Sequence, residues 1–369
     1  MRPLADQLRG LIALEGPITV VRYMDLCLRH YYATRDPFGA AGDFTTAPEI
    51  SQTFGELIGL WMLEVWHAMG RPGPCRIVEL GPGRGTLMAD LLRATRLLPD
   101  FRAAASVHLV ETSPALRERQ REALAQAGLP VTWHDRLDHV PPGPLLLVAN
   151  EFFDALPVRQ FVATGRGWCE RLVGLDGDRL VFGLRGEPEA GLPSPVRLGD
   201  VLERPAMTLG VTGDLARRLT ENGGAALIID YGYWGPAFGD TLQALKNHAF
   251  IDPLAEPGEA DLTTHVDFHQ LAQAALASAA RVHGPSTQAD FLLALGIEAR
   301  TTSLKERATP AQAADLDRAL ARLTERGPRG MGDLFKVLAL THNDLEAVPG
   351  LPASSPLPAN PGSHVHRSP

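Results

Sequence analysis

Cysteine is scarce: three residues, Cys27, Cys75 and Cys169, in 369. They lie far apart without C-x-x-C spacing, which excludes a disulfide framework and points to a reduced compartment, each thiol serving as a small core residue. No apolar run reaches the ~20 residues needed to cross a bilayer. The N-terminus, Met1-Arg2-Pro3-Leu4 followed by Asp6, Gly16 and Pro17, has neither a secretory hydrophobic region nor a long Arg/Ser-rich presequence. A cytoplasmic protein without membrane insertion is expected. Excess positive charge is also missing. The formal net charge is −8, with acids and bases mixed along the chain, which argues against a nucleic-acid partner and leaves room for a cationic substrate. There is no internal repeat and no metal-ligand pattern.

What is present fits a folded chain of one large domain or two ordinary ones: 45% of residues are hydrophobic and 21% charged. Helical periodicity covers 4–14, 18–33 and, after a polar stretch Gly42–Glu49, 50–69. From Arg76 short apolar runs alternate with helical patterns: strands at 76–80, 107–110, 131–133 and 145–149, with helices at 86–98 and 114–127. Such alternation predicts parallel βαβ units and a doubly wound sheet. The rhythm breaks at 158–205, where turn signals separate β-rich pieces. It resumes with a helix near 213–221, a strand at 225–229, a helix at 266–279, a strand near 281, a helix at 287–294 and a last strand at 334–340. The predicted organisation is an N-terminal helical region and lid (1–72), an α/β domain (73–157 with 206–341), an inserted β-rich subdomain (158–205) and a proline-rich, disordered tail (342–369).

The chemistry concentrates at strand ends. Gly81-Pro82-Gly83-Arg84-Gly85-Thr86 follows a strand and opens a helix, where glycines permit positive φ and close ligand approach beside unpaired helix N–H groups. The spacing is G-x-G-x-G rather than the dinucleotide G-x-G-x-x-G. Glu79 beneath the turn would repel a pyrophosphate but suits S-adenosyl-L-methionine, which carries an ammonium and a sulfonium and no phosphate. A turn that binds nothing is the alternative. Glu111 ends the neighbouring strand, at the edge where open α/β sheets hold ligands, and can accept from both ribose hydroxyls; alternatively it caps the next helix. Asp135, after the third strand, can take the adenine amino group with Trp133 or His134 alongside, or be a surface turn residue.

After the fourth strand comes Asn150-Glu151-Phe152-Phe153-Asp154-Ala155-Leu156-Pro157. Methyl transfer is an in-line displacement, so alignment and charge control are the enzyme's tasks. A guanidinium stays protonated and needs carboxylates to grip it. Glu151 and Asp154 supply two, three residues apart, and Phe152 and Phe153 can exclude water and stack on the cation. The same residues also read as an acidic helix start over buried aromatics. The polar segment Gly42–Glu56 reads as a lid over the cofactor, or as a capped helix start at Thr46-Ala47-Pro48-Glu49.

Several stretches taken together, GDFTTAPEISQTFGE (42–56), VELGPGRGTL (78–87), NEFFDALPVRQF (150–161), DYGY (230–233), LKNHAFIDPLAEPGEADLTTHVDF (245–268), HGPSTQADFLLALG (283–296) and MGDLFKVLAL (331–340), resemble the MidA-like S-adenosylmethionine-dependent methyltransferases. The likeness runs over roughly residues 5–341. It implies a class I, Rossmann-like fold with a seven-stranded, mainly parallel sheet, an N-terminal helical region and an inserted β-rich substrate-side region. It also implies symmetric dimethylation of an arginine on a core subunit of respiratory complex I or its bacterial counterpart, the eukaryotic members being mitochondrial. Gly81, Gly83, Gly85 and Glu111 carry over as cofactor contacts, and Glu151 and Asp154 as the acids after the fourth strand. A methyltransferase for a small molecule or another residue type, and a cofactor-binding assembly factor with little turnover, remain the competing readings.

Overall fold

Cys75–Leu80 (β1), a strand with one partly exposed residue, lies inside a sheet whose order and direction follow from continuous apolar runs buried on both faces. A computed structural model gives the structure, describing residues 3–34, 45–194, 197–327, 330–352 and 363–364. The sheet strands after β1 are β2 (Ala105–Val110), β3 (Val131–His134), β4 (Leu145–Asn150), β5 (Gly224–Tyr233), β6 (Arg281–Thr287) and β7 (Phe335–Thr341). Their spatial order is β3-β2-β1-β4-β5-β7-β6, with Val266–Asp267 adding a short parallel pairing to β5. β1 to β5 run parallel, and β7 is antiparallel to both β5 and β6. This is the class I methyltransferase sheet that the sequence leads one to expect.

Register decides where the chemistry sits. Leu80 pairs with Val110 and Ala149, Val110 with His134, and Ile229 with Asn150. The ends of β1 to β4 therefore line up beside Ile229 of β5, and the residues that follow them share one edge. One face of the sheet packs on helices Gln52–Ala68 and Thr86–Ala94 through Ile77, Leu146 and Val148; the other packs on Ala206–Asn222 and Phe268–Ala277 through Val78, Leu145 and Leu147. The helix Gln52–Ala68 comes close because Gly59 has no side chain: a Cβ there would lie 2.6 Å from the Leu91 carbonyl oxygen.

A third core joins the N-terminal helices Leu4–Glu15 and Val20–Thr34 to the inserted sheet, with Leu8, Tyr23 and Met24 against Val173, Leu242 and Leu262. Ile18–Thr19 pairs antiparallel with the long strand Gly167–Asp176. Of this assembly, the helix Val20–Thr34 reaches the ligand edge through Asp25, Arg29 and Tyr32, whereas among the described residues none of 158–205 lines the cavity there.

Several elements differ from the sequence reading. Helix 266–279 begins later, at Phe268, because Asp267 caps it by accepting from His269 and Gln270; helix 213–221 extends back to Ala206. Between 294 and 334, where no element is expected, lie helices Ile297–Lys305 and Pro310–Thr324, the second opened by a Thr309/Gln312 capping box. A small sheet of Gln243–Lys246, Ala249–Ile251 and Asp261–Thr263 was also unforeseen. The expected disordered tail begins too early. Leu345, Val348 and Leu351 are buried, Trp61 Nε1 donates to the Pro349 carbonyl at 3.1 Å, and Gly284 N to that of Pro352 at 3.1 Å. Apolar side chains between the prolines supply the packing that composition alone conceals. Ser363–His364 pairs with Ala237–Phe238, whereas 353–362 lie outside the described residues. Among the described residues no helix is long and apolar enough to cross a membrane, and the three cysteines are free and buried.

Candidate active site

The glycine turn closes against β2, where Gly81 N donates to the Val110 carbonyl at 3.1 Å. Gly81, Gly83 and Gly85 take φ of 60°, 52° and 83°, a region that L side chains avoid. Gly85 caps helix Thr86–Ala94, and its own N–H donates to the Pro82 carbonyl at 2.7 Å. A Cβ at Gly81 would lie 2.9 Å from Phe152 Cδ2, so the turn and the loop after β4 are in van der Waals contact. Glu79, 3% exposed, has an Oε2 without a hydrogen-bond partner, and burial pushes its carboxyl up to about 8.

Glu111 also sits at the shared edge. Its Oε1 accepts from Ser113 N at 2.7 Å and its Oε2 from Gln120 Nε2 at 3.4 Å, while burial raises its pKa. Asp135 lines the same cavity, but its side chain is 67% exposed and accepts from Arg117 at 2.7 Å. Trp133 and His134 do not line it. Trp133 packs on the first core and donates to Gln120 at 2.8 Å, and His134 stacks on His108. A four-residue strand does not reveal which face its side chains take, and here both turn away from the ligand edge.

The loop after β4 is held from below by a residue that the sequence reading did not single out. Asp230, fully buried on β5, accepts at Oδ2 from the N–H groups of Phe152, Phe153 and Asp154 at 3.2, 2.9 and 3.2 Å. Burial, then the charges of Asp154 and Glu151, raise its pKa well above the carboxylate range. Glu151 takes φ 51°, a strained conformation for a non-glycine residue, and its N–H donates to the Ile229 carbonyl at 2.9 Å. Asn150 Nδ2 donates to Glu151 Oε1 at 3.1 Å. Burial and the nearby Asp154 push the Glu151 carboxyl up to about 8. Burial lifts Asp154 to about 6 against a hydrogen bond from Tyr231. Asn150 Oδ1 and Asp154 Oδ1 are buried without partners. Phe152 lines the cavity as expected, but Phe153 is buried in the second core and cannot stack on a ligand.

The N-terminal segment reaches the same place. Thr46 makes no side-chain cap, so the expected capping box is absent. Glu49 instead accepts from the Thr86 hydroxyl at 2.6 Å, and Ala47 N donates to Glu151 Oε1 at 3.2 Å. Residues 42–44 of the expected lid lie outside the described residues. Glu49, Glu79, Gly81, Gly83, Thr86, Glu111, Asn150, Glu151 and Asp154 border one cavity of about 1160 Å³, walled among the described residues by ten acids and three arginines. Each arginine faces an acid: Arg29 Asp25, Arg84 Glu49 and Arg136 Asp138.

Residues 57–286 match the model of a family described as "Putative S-adenosyl-L-methionine-dependent methyltransferase". The chain belongs to that family. Among its relatives, the mitochondrial protein arginine methyltransferase NDUFAF7 homolog of Drosophila melanogaster is 40% identical over 91% of this chain and 84% of its own. The mitochondrial protein arginine methyltransferase NDUFAF7 of Homo sapiens is 36% identical over 92% and 84%. A Burkholderia thailandensis protein described as a "likely methyl transferase", solved with S-adenosyl-homocysteine bound, superposes with a TM-score of 0.79 at 29% identity, covering 94% of this chain and 93% of its own. The protein is a methyltransferase whose cofactor is S-adenosylmethionine.

The residues present fit that cofactor. A buried, unpartnered Glu79 oxygen suits a cationic ligand group, and the three positive-φ glycines leave room for its close approach. Glu79→Gln tests this. A carboxyl raised in the folded state stabilises the protein below its unfolded pKa, and that contribution is lost as pH rises through the folded value. The ligand-free methyltransferase should therefore lose stability between about pH 4.5 and 8. Glu79→Gln should remove that pH-dependent loss, on the order of 5 kcal/mol, and weaken cofactor binding about tenfold. Melting curves at both pH limits and calorimetry read the two effects; an unchanged slope and affinity would assign Glu79 no role.

Proposed function

We propose that the methyltransferase transfers the methyl group to a guanidinium nitrogen of a protein arginine. The observation that carries this reading is the pair Glu151 and Asp154 on the loop after β4, with Asp154 Oδ1 buried and unpartnered. A protonated guanidinium presents five donors and no acceptor, so it satisfies such oxygens where a neutral acceptor would not. The acidic wall of the cavity and the names borne by the Drosophila and human relatives point the same way. The finer assignment, symmetric dimethylation on a complex I core subunit or its bacterial counterpart, rests on the family resemblance.

In this scheme Gly81, Pro82, Gly83, Gly85 and Thr86 cradle the amino-acid end of the cofactor and Glu79 faces its ammonium. Glu111 takes the ribose hydroxyls, and Asp135 holds the outermost position, towards the adenine. When bound, the cofactor supplies an electrophilic methyl group on a sulfonium. Glu151 and Asp154 hold the guanidinium so that one nitrogen faces that methyl, and Asn150 fixes Glu151. The nitrogen gives up a proton as it gains the methyl. Asp154, whose carboxyl burial lifts to about 6, accepts it.

Incubation with labelled S-adenosylmethionine and cell extract, followed by mass spectrometry, should place one or two methyl groups on arginine in protein. Label on small metabolites alone would reject the acceptor. Asp154→Ala should cut transfer at least ~100-fold with cofactor affinity within threefold; full activity would remove Asp154 from the clamp.

A further inference from the structure

We propose that Asp261, oriented by the Tyr32 hydroxyl, is a third carboxylate contact for the acceptor guanidinium, reaching it from the strand tied to the loop after β4. The inference rests on the arginine-acceptor reading and extends it to residues outside the methyltransferase sheet.

Asp261 opens the small strand Asp261–Thr263, is 5% exposed and lines the cavity. The Tyr32 hydroxyl, from helix Val20–Thr34, donates to its Oδ1 at 3.1 Å. The strand is tied to the clamp itself, because Thr264 N donates to the Asp154 carbonyl oxygen at 3.0 Å. Three residues along from that bond, Asp261 shares a space with the other acids: its charge acts on Glu151, and both it and Asp154 act on the phenols of Tyr32 and Tyr231. Asp154 Oδ1 and Asn150 Oδ1, both unpartnered in residues more than nine-tenths buried, border the same cavity.

Geometry explains why a third acid is useful. The guanidinium donors spread around the edges of a plane, and two carboxylates three residues apart on one loop approach from one side. A carboxylate from another element takes a second edge and fixes the rotation of the plane, which sets which nitrogen meets the methyl group. Tyr32 donates to Asp261 and so holds the carboxylate in one rotamer.

The test uses the acceptor protein that the wild-type enzyme labels in cell extract, purified and assayed at varied acceptor and varied S-adenosylmethionine. Asp261→Asn, nearly isosteric, should raise the acceptor KM about 10- to 100-fold while leaving the cofactor KM within twofold. Tyr32→Phe, which removes only the orienting hydroxyl, should raise the acceptor KM about threefold in the same pattern. An acceptor KM unchanged in both variants, or acceptor and cofactor KM rising together, would overturn the assignment. If the wild-type label lies on a residue other than arginine, the acceptor reading itself has failed and Asp261 falls with it; label on arginine with unmoved KM values rejects Asp261 alone.

Discussion

Gly81→Val is expected to abolish cofactor binding, weakening Kd at least ~100-fold, or about 2.8 kcal/mol. Two independent costs meet at this residue. Its φ of 60° is a conformation that costs an L residue ~1–2 kcal/mol, and more when the side chain is β-branched. Its Cβ would lie 2.9 Å from Phe152 Cδ2, so the ring must move and take the loop carrying Glu151 and Asp154 with it. The turn is also fixed at its base by the bond from Gly81 N to Val110, which leaves the strain to be relieved at the ligand surface. Calorimetry with S-adenosylmethionine measures the loss, and a melting temperature lowered by only a few degrees separates it from unfolding. Gly81→Ala with and without Phe152→Ala divides the two causes: the second substitution should restore the part due to the ring and leave the part due to φ. Binding within threefold of wild type in Gly81→Val would mean that the turn does not hold the cofactor.

The place of this turn at the cavity edge was legible in the sequence, and so were those of Glu79, Glu111 and the loop at 150–157, for one physical reason. Parallel strands buried on both faces are continuous apolar runs, and in such sheets ligand groups follow the strand ends directly. The 30 positions from Gly81 to Glu111 exceed the usual ~20 and imply an extended connection, which the helix Thr86–Ala94, a 3-10 turn and the helix Pro99–Ala104 supply. What could not be read depends on contacts between distant positions. Asp230 meets the Phe153 N–H across 77 residues, and Tyr32 meets Asp261 across 229. Glu49 has the spacing of a capping-box acid, yet its carboxylate goes to Thr86 on another helix. The sequence did carry one signal for Asp230: an acid placed directly after the apolar run Ala225–Ile229, inside a strand that stays buried through it.

Asp230→Ala should be the most damaging single change in the loop after β4. The carboxylate receives three consecutive N–H groups at Oδ2 and that of Tyr231 at Oδ1. Without it those donors stay buried and unpaired at ~1–3 kcal/mol each, or the loop refolds to reach water. A total of ~4–12 kcal/mol is comparable with a typical stability of ~5–15 kcal/mol. A fall in melting temperature of roughly 10 °C and a ~100- to 1000-fold loss of kcat are expected, because Glu151 holds its positive φ only while the turn beside it is fixed. Asp230→Asn separates hydrogen bonding from charge. Its amide oxygen still accepts from the loop, and burial with Asp154 and Glu151 already pushes Asp230 towards the neutral form. The asparagine variant should therefore keep at least about a tenth of the activity. A raised folded pKa stabilises the protein at low pH and loses that contribution as pH rises, so Asp230→Asn should also be relatively more stable above neutral pH than below it. Equal, severe losses in both variants would show that the ionised carboxylate is what the loop requires; an alanine variant with full activity would show that the loop stands without it.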